Sequence, residues 1–84
     1  MDEATRLHWK FCQDDQGDHW ELTYEIMWSL RVHYDASAGR WKAVARAEGA
    51  ADGYREEWVD AGEGDPDPAM IRAREMADNW VQNV

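Results

Sequence analysis

Cysteine is almost missing from this chain: Cys12 stands alone among 84 residues. With no second thiol there is no internal disulfide and no paired-cysteine metal site, so an oxidising compartment would add no covalent support. A cytoplasmic setting is therefore expected. Long apolar runs are missing as well. No stretch approaches the ~20 residues of a membrane span, and Met1 to Arg6 has neither the basic nor the apolar region of a secretory leader. The expectation is a soluble protein that neither enters nor lies on a membrane.

Positive charge is missing from two stretches in particular. Residues 13–25 carry Asp14, Asp15, Asp18, Glu21 and Glu25 against no base. Residues 48–67 carry Glu48, Asp52, Glu56, Glu57, Asp60, Glu63, Asp65 and Asp67 against Arg55 alone. Residues 26–47 are net positive and both ends are neutral, so the overall charge of −9 is arranged along the chain. An acidic field repels nucleic acid phosphates and anionic lipid, and a basic surface attracts it. Direct nucleic acid binding is accordingly not expected, although Arg31, Arg40, Lys42 and Arg46 form a small basic group around one predicted hairpin.

Disorder does not account for this acidity. Six Trp, three Tyr and one Phe supply far more aromatic area than an acidic disordered chain carries, on the order of 150–250 Å² each when buried. The chain is short enough for one domain, residues 1–84, burying roughly 60–65% of its unfolded surface. Sequence repeats, long linkers and low-complexity segments are absent.

What is present is alternation. From Trp20 to Tyr34 every second residue is apolar or aromatic, while Glu21, Thr23, Glu25, Met27, Ser29, Arg31 and His33 fill the other, almost wholly polar register. Period 2 marks a half-buried antiparallel strand. Fifteen residues is long for so small a domain, so either a bend near Met27–Ser29 or two strands sharing one face is expected. Leu7, Trp9 and Phe11 alternate ahead of the turn residues Asp14 to Asp18, giving a first hairpin. After Asp35 to Gly39, the residues Trp41, Ala43, Ala45 and Ala47 alternate again. Their small side chains leave room for a helix across that face. Tyr54 to Val59 reads as a short edge strand.

The C-terminal segment has helical period. Gly62 to Pro66 breaks structure, Asp67 can cap and Pro68 suits the first turn. Ala69, Met70, Ala73, Met76, Ala77, Trp80, Val81 and Val84 then form one apolar stripe, with Ile71 outside it. The predicted fold is α+β: an antiparallel sheet of three to four strands in the order β-β-β-β-α, with the C-terminal helix packed across one face. Trp20, Trp41 and Trp80 are predicted core residues, and Trp58 has the weakest case for burial.

No catalytic signature emerges, and no enzyme is expected. His8, His19 and His33 show no short metal-ligand spacing. Cys12 shares a predicted face with His8 but lacks a third, orienting group. The loops at residues 14–18 and 60–67 hold oxygen ligands without the twelve-residue calcium pattern. No catalytic residue, cofactor or metal site is assigned. The functional expectation rests on Asp14, Asp15, Asp18, Glu21 and Glu25 as one partner-binding cluster and Glu56, Glu57, Asp60, Glu63, Asp65 and Asp67 as a second. Carboxylates spaced along a rigid scaffold can engage the Lys and Arg groove of a nucleic-acid-handling protein in place of phosphates.

In size, net charge and aromatic-rich core the chain resembles the small acidic inhibitors encoded by phages and mobile elements, among them anti-CRISPR and other nucleic-acid-mimicking proteins. That resemblance implies inhibition of a nucleic-acid-binding complex in a host cytoplasm and assigns no individual residue. The alternative is a homodimeric assembly or adaptor module, joined through sheet faces or edges, whose acidity serves solubility alone. Met27, Val44 and Val59 would supply its apolar points opposite the helix.

Overall fold

The computed structural model describes residues 6–15, 17–25, 27–49 and 53–82. The side chains of Asp14, Trp80, Val81 and Gln82 lie outside that description, as do Ile26 and Val84, so the core assignments of Trp80, Val81 and Val84 are not addressed. The strands are β1 (Lys10–Asp14), β2 (Gly17–Tyr24), β3 (Trp28–Asp35), β4 (Arg40–Ala47) and β5 (Tyr54–Val59), followed by helix α1 (Asp67–Gln82). They form one antiparallel meander in the order β1-β2-β3-β4-β5. The architecture is the α+β sheet and helix that the alternation predicts, with five strands in place of three to four.

The extra strand comes from dividing the long alternating segment. Tyr24 pairs with Trp28 across a three-residue connection at 25–27, where Glu25 takes a positive φ of 56°. Three residues between paired partners preserve the alternation, because Tyr24 and Trp28 are four apart and point the same way. Thus Trp20, Leu22 and Tyr24 share a face with Trp28, Leu30, Val32 and Tyr34. Two strands on one face, rather than a single bent strand, satisfy the pattern.

Helix α1 covers that face over β3, β4 and β5. Ala43, Ala45 and Ala47 are buried beneath it, opposed by Ala69, Met70, Ala73, Met76 and Ala77. Short side chains on both surfaces let the helix backbone approach the sheet closely while Trp28, Leu30 and Val32 fill the space alongside. Ile71 is exposed, as its place outside the stripe requires. The Pro66 carbonyl accepts the first helical hydrogen bond from Met70 N at 3.0 Å. The helix therefore begins one residue earlier than the Asp67 cap predicts, and Asp67 sits inside its first turn.

Two tethers fix the helix entry and exit. Trp41 Nε1 donates to the Gly62 carbonyl at 2.7 Å, anchoring the β5–α1 loop to β4. Tyr24 Oη donates to Asp78 Oδ1 at 2.7 Å, and the Arg74 guanidinium lies 5.1 Å from the Tyr24 ring centre. At the turn after β3, Asp35 Oδ1 accepts from Ser37 N and Ala38 N at 2.9 and 3.1 Å. Gly39 follows with φ 69°, a conformation that strains any residue carrying a Cβ.

Two sequence expectations are corrected. Trp20 is half-buried beside Phe11, 5.0 Å between ring centres, because the helix packs chiefly on β3, β4 and β5. Among the described residues Trp9 and Trp28 are buried with Trp41, as their apolar register predicts. Val59 packs on the core and Met27 lies in a connection, so only Val44 of that trio is on the face opposite the helix. Substituting Trp28, which is 1% exposed, by Ala is expected to cost about 3–5 kcal/mol in urea denaturation. Trp58→Ala, at a residue 41% exposed, is expected to stay within about 1 kcal/mol.

Candidate binding surfaces of the sheet

A meander reverses direction at every connection, and this decides where the acidic stretches meet. The β1–β2 turn, the β3–β4 turn and the loop leaving β5 all lie at one end of the sheet, because β2 and β4 start there and β3 and β5 finish there. Asp15 and Asp18 of the first stretch thus share an end with Asp60, Glu63 and Asp65 of the second. A groove of about 500 Å³ at that end is lined by both Asp18 and Glu63, together with Trp20, Tyr34 and Trp41. The backbone of Asp14 enters the same turn. Asp15, Asp18, Glu63 and Asp65 are exposed and form no ion pair among the described residues. Asp60 is 92% exposed and reaches Arg40 at 3.9 Å, a distance and setting worth little in water.

The other predicted partner-binding residues are placed elsewhere. Glu25 is seven residues beyond Asp18, about 24 Å along an extended strand, at the opposite end. Glu21 and Glu56 lie on the open face of the sheet, where the register sets Lys10, Glu21, Arg31, Val44 and Glu56 in one row. Lys42 Nζ is 3.3 Å from Glu56 Oε1. Glu57 is on the helix side, held by Arg72 Nη2 at 2.6 Å. Asp67 is 8% exposed and bonded by Arg6 Nε at 2.6 Å. Neutralised or buried carboxylates do not contribute to a surface that attracts cations, so the two sequence clusters do not stand as units.

The open face carries the opposite sign. Arg31, His33, Lys42 and Arg46 line a groove of about 450 Å³ with Tyr54 and Glu56. Beside it the Arg40 and Lys42 cations lie 5.0 and 4.8 Å from the centre of the Trp58 ring, which explains an exposed tryptophan on a polar face. Tyr54 Oη donates to Glu56 Oε2 at 2.8 Å. This bond and Lys42 hold the Glu56 carboxyl below its ordinary range, while the same oxygen pushes the Tyr54 hydroxyl up. The basic residues noted in the sequence thus gather because all four occupy even positions of β4 or the matching register of β3.

At the β1 side of this face, Cys12 stands directly opposite His19. Its sequence neighbour His8 instead precedes β1 with a positive φ of 75°. His19 is 3% exposed, and its Nε2 lies 2.8 Å from Glu21 Oε1. Arg31 Nη2 is 3.4 Å from Nδ1. A guanidinium only donates, so Nδ1 accepts and the Nε2 proton points at Glu21. The His19 bond draws the Glu21 carboxyl below its usual range.

Comparison with protein-family models, with curated proteins and with solved structures finds no match for this chain. The described residues contain no helix long and apolar enough to cross a membrane.

His33 provides a pH signature of the basic groove. Burial, and then the Arg31 and Lys42 charges, press its pKa below the usual 6.5; Nδ1 is buried without a hydrogen-bond partner in the protein. The unfolded chain therefore takes up this proton first as pH falls. Stability contributed by neutral His33 is complete above about pH 6.5 and is lost as pH descends through the lower folded-state value. The urea midpoint is expected to drop between about pH 7.5 and about pH 5.5, and to drop less in His33→Gln. An equal drop in both proteins would remove His33 from that dependence.

Proposed function

We propose that the protein is a non-enzymatic binding protein that docks the acidic end of its sheet on a basic protein surface of a nucleic-acid-handling complex. The observation carrying this reading is the convergence of two separated acidic stretches, through Asp15, Asp18, Asp60, Glu63 and Asp65, at one end of a rigid meander. These carboxylates hang from turns whose backbones are tied to the sheet, so little ordering is needed on binding. Their spacing on a folded scaffold offers a Lys and Arg groove repeated negative charge of the kind a phosphate backbone provides.

The proposal has a finer form, an inhibitor of the phage or mobile-element type that imitates nucleic acid. Overall charge and size support it, with binding that is fast at low salt and weakens as salt rises. The basic groove on the open face borders this end, sharing Gly17, Asp18 and Tyr34 with the acidic groove. Sheet-mediated dimerisation draws less support, because on the open face Val44, Tyr54 and Trp58 stand among charged side chains.

Charge reversal tests the reading. Asp15→Lys, Asp18→Lys and Glu63→Lys together bring the net charge from −9 to −3 and touch no described ion pair. Proteins captured at low salt by the immobilised native chain, and eluted by a salt gradient, are expected to bind the triple variant about tenfold more weakly or worse, with thermal stability retained. Reversing Glu25 and Glu48, at the opposite end, is expected to leave capture intact. Equal losses in the two variants, or elution that ignores salt, would overturn the acidic-end assignment.

A further inference from the structure

We propose that Cys12, His19 and Glu21 form a binding site for a zinc-class divalent metal ion on the open face of the β1–β2 hairpin. One ligand atom from each residue lies within 4.8 Å of the other two. The fold produces this without any short sequence motif: the register sets Cys12 across from His19, and Glu21, two residues further along β2, projects from the same face. The site joins two strands, and its spacing is therefore invisible to a search for adjacent ligands.

The distances suit a small tetrahedral ion. Zinc bonds of about 2.3 Å to sulfur and about 2.0–2.1 Å to nitrogen or oxygen place neighbouring ligand atoms about 3.3–3.6 Å apart. Cys12 Sγ and Glu21 Oε2 are 3.7 Å apart, and His19 Nε2 and Glu21 Oε1 are 2.8 Å apart. The Cys12 distance already fits; because the two distances run to different oxygens of Glu21, one oxygen serves the ion after the exposed carboxylate turns and the Nε2 proton is replaced. The donor set excludes hard ions: a thiolate and an imidazole favour zinc, cobalt or cadmium over magnesium or calcium. Thiolate and carboxylate together neutralise a divalent charge, and Glu21, on the exposed side, leaves a fourth position open to water.

Arg31 sets the constraint. Once Nε2 binds the ion, the imidazole proton resides on Nδ1 and faces the Arg31 guanidinium, donor against donor. Arg31 must then swing away, toward the groove it already lines. Buried His19 keeps one ligand fixed, and the ion would rivet β1, an edge strand packed chiefly on β2, to the rest of the sheet.

Cobalt(II) titration of the purified chain, reduced and free of chelator, tests the site by spectroscopy. One cobalt per chain is expected, with the near-ultraviolet thiolate-to-cobalt charge-transfer band and the intense visible bands of a tetrahedral ion, both abolished by competing zinc. Cys12→Ser should eliminate the charge-transfer band. Glu21→Gln, at an exposed position that leaves the buried imidazole in place, should weaken binding about tenfold or more. Zinc should raise the melting temperature of the native chain and not that of Cys12→Ser. A wild-type spectrum of weak octahedral bands, a charge-transfer band that survives Cys12→Ser, or an equal zinc-induced rise in melting temperature in both proteins would overturn the proposal.

Discussion

Coverage of one sheet face by one helix is the constraint on which the rest of the molecule depends. With 84 residues the chain supplies one helix after its strands, and that helix packs chiefly over the β3–β5 part of one face. β3 and β4 therefore send alternate residues to a core and toward water. The alanines of β4 and of α1 make this arrangement close-packed, and the tryptophans of β3 and β4 supply area that so small a core would otherwise lack.

The pleat also sorts charge. Glu56 and Glu57 are adjacent in sequence, yet one meets Lys42 on the open face and the other meets Arg72 on the helix side. Adjacent carboxylates that would repel each other in a loop are separated by the sheet and each given a cation. Asp15, Glu63 and Asp65, which have no ion pair among the described residues, lie in the connections, where no facing strand supplies a base. The result is polarity at the scale of the whole domain: a basic open face, an acidic end, and a helix side where ions are matched. Such a field is a property of turn placement as much as of composition.

Much of the fold was legible in the sequence because alternation is a local record of burial. Trp41, Ala43, Ala45 and Ala47 announced both a strand and the helix above it, and the 69–77 stripe announced the face that would meet them. The fifth strand was harder to see, since the Glu25 connection keeps the same parity as an uninterrupted strand; the positive φ that breaks it leaves no mark on hydropathy. The acidic surface was legible only in part. Charge could be counted, but its grouping by proximity in sequence joined Asp18 to Glu25, which the strand separates, and Asp65 to Asp67, which burial separates.

The sequence by itself determined the class of fold, the buried face of β3 and β4, the helix and the excess of negative charge, because each depends on residues within one or two turns of chain. Tertiary structure decided which charges act together. Register placed His19 across from Cys12, reversal of strand direction brought residue 63 to residue 18, and the packing of Arg6 removed Asp67 from the surface. Those juxtapositions arise between segments far apart along the chain, where electrostatics and ligand geometry follow distance in space and sequence neighbourhood carries no information about it.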